Sequence, residues 1–157
     1  MYNICIKCKN DMYKYEMGDI NMGAWSENYS VGIEKIDNEH KLLFNIINKC
    51  YELLFNDIYL DKHDRIIEII YELEDYTKSH FKEEEEFLLS IGYNKFFSHK
   101  VKHDKFLNYI ENLDKSKIDD NQDEYIKELL DSVLKWIKNH ILMEDFKYKE
   151  FLKKKET

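Results

Sequence analysis

The chain contains no proline and only four glycines in 157 residues, so few positions can break a helix or close a tight hairpin. Proline removes a backbone donor and clashes inside a helix, and glycine supplies the left-handed conformations that turns require. A sequence nearly free of both is steered toward long helices. Apolar residues recur along it at helical spacing. A first stripe runs through His40, Leu43, Phe44, Ile47, Tyr51 and Leu54, in a helix expected to begin at Asp37, a residue able to cap its first turn, and to end near Phe55. Asn56-Asp57 interrupts the pattern, and Asp61 is the next candidate cap. A second, longer stripe follows through Ile66, Ile69, Ile70, Leu73, Tyr76, His80, Glu84 and Phe87. Gly92 suits the left-handed turn that would end it. The third stripe is Phe96, His99, His103, Phe106 and Ile110, and the polar stretch from Asp114 to Asn121 breaks the period. A fourth runs through Ile126, Leu129, Val133, Trp136, His140 and Met143 and is expected to end near Tyr148, ahead of a Lys-rich tail.

Four amphipathic helices with mostly short connections predict an all-α, up-down-up-down antiparallel four-helix bundle. Residues 1–24 carry no sustained period and read as an N-terminal arm, residues 25–150 as the bundle, and residues 151–157 as the tail. A formal net charge of −8 argues against a nucleic-acid surface, which needs clustered Lys and Arg. No stretch approaches the roughly 18 uninterrupted apolar residues of a membrane span, and the N-terminus lacks the apolar core of a signal peptide. The expectation is a cytoplasmic protein that binds neither nucleic acid nor membrane. Three cysteines, Cys5, Cys8 and Cys50, are an odd number in a chain too large to need disulfide staples, which fits a reducing compartment. Cys5-Ile6-Lys7-Cys8 resembles half of a structural zinc site, but no second pair completes it, so a solvated tail is expected there.

Five of the six histidines fall on inward stripes, spread over all four helices. His80 is followed four residues later by Glu84, and His99 four residues later by His103. Residues four apart share a helical face, so each pair points at one place. A glutamate on an apolar seam costs several kcal/mol if it stays ionised and unpaired, so something positive is expected to meet it. The first helix offers His40, and the fourth offers His140 and, five residues on, Asp145. Seven possible ligands thus converge, enough for two metal ions with the carboxylates between them. A lone core histidine such as His40 is ordinarily hydrogen-bonded packing, and the acidic run Glu83 to Glu86 is ordinarily a solvated face. What favours a metal site is the joint occurrence of one such element per helix. His63 lies off the apolar stripe and is expected at the surface.

With these residues in place, the chain resembles a hemerythrin, especially the bacterial single-domain members, over about residues 25 to 148. The resemblance rests on Trp25, Tyr29-Ser30-Val31-Gly32-Ile33, Ile36-Asp37 and Glu39-His40-Lys41-Leu42-Leu43-Phe44. It continues in His80-Phe81-Lys82-Glu83-Glu84-Glu85, in His99 with His103, and in Trp136 with His140 and Asp145. It implies a non-haem di-iron centre with a bridging oxo or hydroxo group, in which His99, His103 and His140 bind one iron and His40 and His80 the other. Glu84 and Asp145 would bridge the two, and O2 would bind at the open position of the two-histidine iron. By helical register and family likeness, Leu43, Phe44, Ile141 and Met143 are the candidate wall of the oxygen pocket.

Reversible oxygen binding for storage, delivery or scavenging is the function this implies. The alternatives from other classes are a di-iron peroxidase or nitric-oxide-handling enzyme, and an oxygen or iron sensor. Di-iron oxygen activators on similar bundles use mostly carboxylates, which stabilise highly oxidised iron, whereas this donor set is mostly neutral imidazole. A redox partner and a monomeric or small homo-oligomeric state are compatible with this reading. The chain departs from the family pattern at Asn94, where Gly-Tyr-Pro is frequent, and at Met143, where leucine is frequent. The five-residue step from His140 to Asp145 is not same-face spacing on an ideal helix.

Overall fold

Helix formation begins behind an ordered approach segment rather than at a bare cap. The computed structural model describes residues 23–156, and side chains to residue 155; Cys5 and Cys8 lie outside the described residues. Trp25 leads into a single 3-10 turn, Glu27–Tyr29, and α1 follows at Glu34–Leu54. Asp37, expected to cap that helix, sits inside its first turn and faces back. Its Oδ1 accepts the Val31 N–H at 2.8 Å, and its Oδ2 accepts the Ser30 hydroxyl at 2.7 Å and the Gly32 N–H at 3.3 Å. The helix therefore starts three residues earlier than the sequence suggests, because this carboxylate serves the donors of the approach segment. Gly32 makes the bend at φ +79.

α2 spans His63–Ser90; Lys62 occupies the cap position, and Asp61, the expected cap, stands one residue ahead of it and accepts the His63 N–H at 3.0 Å. At its far end Gly92, at φ +66, terminates the helix. The Tyr93 N–H reaches the Leu88 carbonyl and the Gly92 N–H the Leu89 carbonyl, each at 3.0 Å, which satisfies two carbonyls the helix leaves unpaired. α3 is Phe96–Glu111, a 3-10 turn follows at Lys115–Lys117, and Ile118 plugs the polar connection from inside with no exposed surface. Asn121 accepts the Glu124 N–H at 3.1 Å and starts α4, Gln122–His140.

The chain then passes through one π-turn, Ile141–Asp145, and continues without a break as α5, Phe146–Glu156. The Lys-rich stretch is thus helical well past Tyr148. Two of its lysines fasten the rod to the bundle: Lys149 Nζ donates to the Ser30 carbonyl and Lys155 Nζ to the Ile91 carbonyl, each at 2.6 Å.

The four rods form an all-α four-helix bundle, and no strand occurs among the described residues. α1 packs on α2 and α4, α2 on α3, and α3 meets α4 where Phe106 stacks on Trp136 at 3.8 Å. Neighbours are antiparallel, since the start of α1 meets the end of α2, and the start of α3 meets the ends of α2 and α4. At the opposite end Lys62, although buried, donates through Nζ to the Leu54 carbonyl at 3.1 Å and to Asp123 at 2.8 Å, and its backbone N–H reaches Gln122 at 2.6 Å. These contacts close that end and satisfy the buried Lys62 ammonium.

Gly92 offers the cleanest test of how the second rod is terminated. A Cβ there would meet no atom closer than Lys155 Nζ at 3.9 Å, so the cost of Gly92→Ala is backbone strain alone. We expect a loss of about 1–2 kcal/mol of unfolding free energy in a urea titration. An unchanged midpoint would mean the left-handed turn is not retained in solution.

Candidate metal centre

All four rods deliver side chains to the end of the bundle opposite Lys62. His40 comes from the second turn of α1, His80 and Glu84 from the second half of α2, His99 and His103 from the first half of α3, and His140 from the last residue of α4. Asp145 closes the π-turn. These seven side chains are each 6% exposed or less. The Nε2 atoms of His103 and His140 are 3.0 Å apart, and those of His140 and His99 3.3 Å. Glu84 Oε2 lies 3.1 Å from His103 Nε2 and 3.4 Å from His99 Nε2. Asp145 divides its oxygens, with Oδ1 at 3.2 Å from His140 and 3.5 Å from His99, and Oδ2 at 3.4 Å from His40. His40 and His80 meet edge to face at 4.9 Å.

The donor atoms form two groups, each within 4.8 Å: Glu84 with His99, His103 and His140, and Glu84 with His40 and His80. Glu84 belongs to both. A family model for the hemerythrin HHE cation binding domain matches residues 31–152. The bacteriohemerythrin of Clostridium acetobutylicum is 52% identical over 127 residues, covering 81% of this chain and 98% of that protein. That of Pseudomonas aeruginosa is 32% identical over 126 residues, covering 80% and 78%. The myohemerythrin of Theromyzon tessulatum is 32% identical over 125 residues, covering 80% and 89%.

The chain belongs to the hemerythrin family. Family membership and the buried histidine–carboxylate cluster together make it a non-haem di-iron oxygen-binding protein. The donor chemistry fits such a centre. Nitrogens held about 2.1 Å from one cation at right angles stand about 3 Å apart, close to the spacing of the three imidazoles on α3 and α4. Asp145 has no exposed surface, and neither of its oxygens accepts an aligned hydrogen bond. An ionised carboxylate so placed costs several kcal/mol unless a cation meets it.

Without metal, protonated imidazole takes part of that role. Burial pushes the Glu84 carboxyl upward, but hydrogen bonds from His103 and His99 outweigh it and hold the group well below the usual range. Burial likewise opposes charge on His103, yet Glu84 and Glu85 raise it to about 9. His140 is lowered, chiefly by burial.

The five-residue step from His140 to Asp145, irregular for an ideal helix, is explained by the π-turn. Its wider winding brings Asp145 round beneath His140, and such single turns are frequent at functional sites. Of the four residues expected on the wall of the oxygen pocket by helical register and family likeness, Leu43, Phe44 and Ile141 are buried, whereas Met143 is 62% exposed.

Aromatic rings hold the imidazole planes. Phe81 stacks on His103 at 3.7 Å with the rings 2° from parallel, and Trp136 stacks on His140 at 4.4 Å and 11°. Trp25 and Tyr29 pack on Phe44 beside His40. Three residues to which the sequence analysis gave no role touch the cluster. The Tyr148 hydroxyl donates to Glu84 Oε1 at 2.7 Å. Glu39 Oε2 lies 2.8 Å from His80 Nδ1, and Glu85 Oε1 lies 3.1 Å from His103 Nδ1. Tyr148 had a signal, since it falls three residues after Asp145 on one helical face; Glu39 and Glu85 sit off the apolar stripes. His63 is far from the cluster, at the start of α2, where its ring contacts Asp64 at 3.1 Å.

Two outcomes follow for the metal-free protein. Loading with ferrous iron under anaerobic conditions, at a thousand times the dissociation constant, is expected to add about 4 kcal/mol to the unfolding free energy for each ion bound. A chelator should reverse the gain, as thermal melts would show. By metal analysis, His99→Ala or Glu84→Ala is expected to lose both ions and His63→Ala to keep them; two irons retained in both cluster variants would contradict the site.

Proposed function

We propose that His99, His103 and His140 hold one iron and His40 and His80 the other, with Glu84 and Asp145 bridging, and that O2 binds reversibly at the two-histidine position. The observation that supports this division is the split of Asp145, one oxygen toward His99 and His140 and the other toward His40. Glu84 belongs to both donor groups. The iron pair, when bound, supplies the electrons and the open coordination position that oxygen requires.

The chain's own residues supply the rest. Five imidazoles against two carboxylates make a largely neutral donor set, less suited than a carboxylate-rich one to stabilising highly oxidised iron. Leu43, Phe44 and Ile141 are buried and apolar, and as the wall of the oxygen pocket they would exclude water, so that a bound ligand meets no group to attack. Tyr148, donating to Glu84, holds that carboxylate in one orientation.

Donors this deeply buried admit a diatomic gas more readily than a larger substrate, which supports storage, delivery or scavenging over turnover. The working unit is residues 25–150. No helix among the described residues is long and apolar enough to cross a membrane, and a cytoplasmic location is part of this proposal.

An iron count with absorption spectra of the anaerobically reduced protein tests the reading, taken before oxygen is admitted, after, and again once it is removed. Two irons per chain with charge-transfer bands that appear with oxygen and vanish on its removal are the expected result. Immediate, irreversible oxidation would point instead to an enzyme or a sensor, and absence of iron would remove the function while leaving the fold.

A further inference from the structure

The two imidazoles with carboxylate partners fall on different sides of the division proposed above: His80 faces Glu39 and His103 faces Glu85. From this we infer that each metal position has its own outer carboxylate, and that Glu39 sets the affinity of the position proposed to take oxygen. The inference rests on that ligand division. A carboxylate accepting the Nδ1–H of an imidazole fixes the tautomer, so that the Nε2 lone pair faces inward, and makes the nitrogen a stronger donor.

The surroundings of the two carboxylates differ. Glu85 is shared with Lys100 at 3.1 Å, whereas Lys35, one turn before Glu39 on α1, pairs with Glu83. The Glu39 side chain is 14% exposed, and its backbone carbonyl accepts the Tyr76 hydroxyl at 3.2 Å, which ties α1 to α2 at this residue. His40 Nδ1 makes no hydrogen bond. At the two-histidine position the Glu39–His80 contact is therefore the outer support of the pair. At the other position His99 Nδ1 is equally unpartnered, but His103 and His140 are also clamped by the stacked rings of Phe81 and Trp136. Glu39 is a positioning residue, acting through His80.

Zinc separates this role from any redox effect. The metal-free full chain is titrated with Zn2+ against a chromophoric chelator, and histidine ring 15N shifts identify which imidazoles carry each ion. The unsubstituted chain should take two ions. Glu39→Leu and Glu39→Ala should each weaken one ion about 10- to 100-fold, with His40 and His80 left free at one equivalent. Glu85→Leu should weaken the ion on His99, His103 and His140 instead. Glu39→Gln, whose amide oxygen still accepts from Nδ1–H, should stay within a few-fold of the unsubstituted chain. Both ions weakened alike by the Glu39 variants, neither weakened, or the same ion weakened by Glu39→Leu and Glu85→Leu would overturn the inference and leave the ligand division standing. Failure of the unsubstituted chain to bind two ions would overturn the division itself.

Discussion

Two carboxylates without solvent, Glu84 and Asp145, set the terms for one end of this bundle. A negative charge in an apolar core costs several kcal/mol unless it is met by positive charge at close range. The groups around them are imidazoles, which offer lone pairs readily and protons only in part. In the metal-free chain the balance is struck by protonation, with His103 raised to about 9 between Glu84 and Glu85. Cations satisfy the same field more fully, because each can be approached by several donors at once. The convergence of four helices follows from this: no single helix can present donors on all sides of a point, whereas four rods around a common axis can.

The geometry of the last rod is where backbone and site meet. A π-turn widens the helix for five residues, Ile141–Asp145, and the winding returns to α-helical at Phe146. That one irregularity carries Asp145 under His140 and sets Tyr148 against Glu84. The helix can afford it because α5 is fastened on both sides, by Lys149 to the approach segment and by Lys155 to the turn after α2. Stacked aromatic rings then restrict the imidazoles, so the donors are positioned before any ion arrives, which lowers the conformational entropy lost on binding.

The two ends of the molecule divide the work. At the far end Lys62, Asp61, Gln122 and Asp123 pair with one another or with backbone, and Ile118 fills the space beneath the connection. At the metal end both Asp145 oxygens, His40 Nδ1 and His99 Nδ1 make no hydrogen bond, and elsewhere among the described residues the buried Thr77 and Tyr125 hydroxyls are in the same position. Buried polar groups are nearly always hydrogen-bonded, so four unmatched atoms on three side chains that meet at one point call for another component. That concentration distinguishes the site from ordinary core.

The sequence by itself determined the helical class, the four amphipathic stripes and the inward placement of His40, His80, Glu84, His99, His103 and His140. Each of these follows from helical period and from the scarcity of helix breakers, which are local properties. It also placed the turn at Gly92, because a left-handed backbone selects glycine wherever it occurs. It misplaced the start of α1, since Asp37 could serve either the helix or the segment before it and only the folded approach segment decides which. It read the Lys-rich end as a tail, because no apolar stripe marks α5 and the anchoring partners lie at Ser30 and Ile91, distant in the chain. Tertiary structure alone decided the π-turn, the outward turn of Met143 and the contacts of Glu39, Glu85 and Tyr148 with the cluster. The reason is physical: periodicity reports which face a residue occupies, whereas the winding of one turn and the partner of a polar atom are set by what packs against it from another helix.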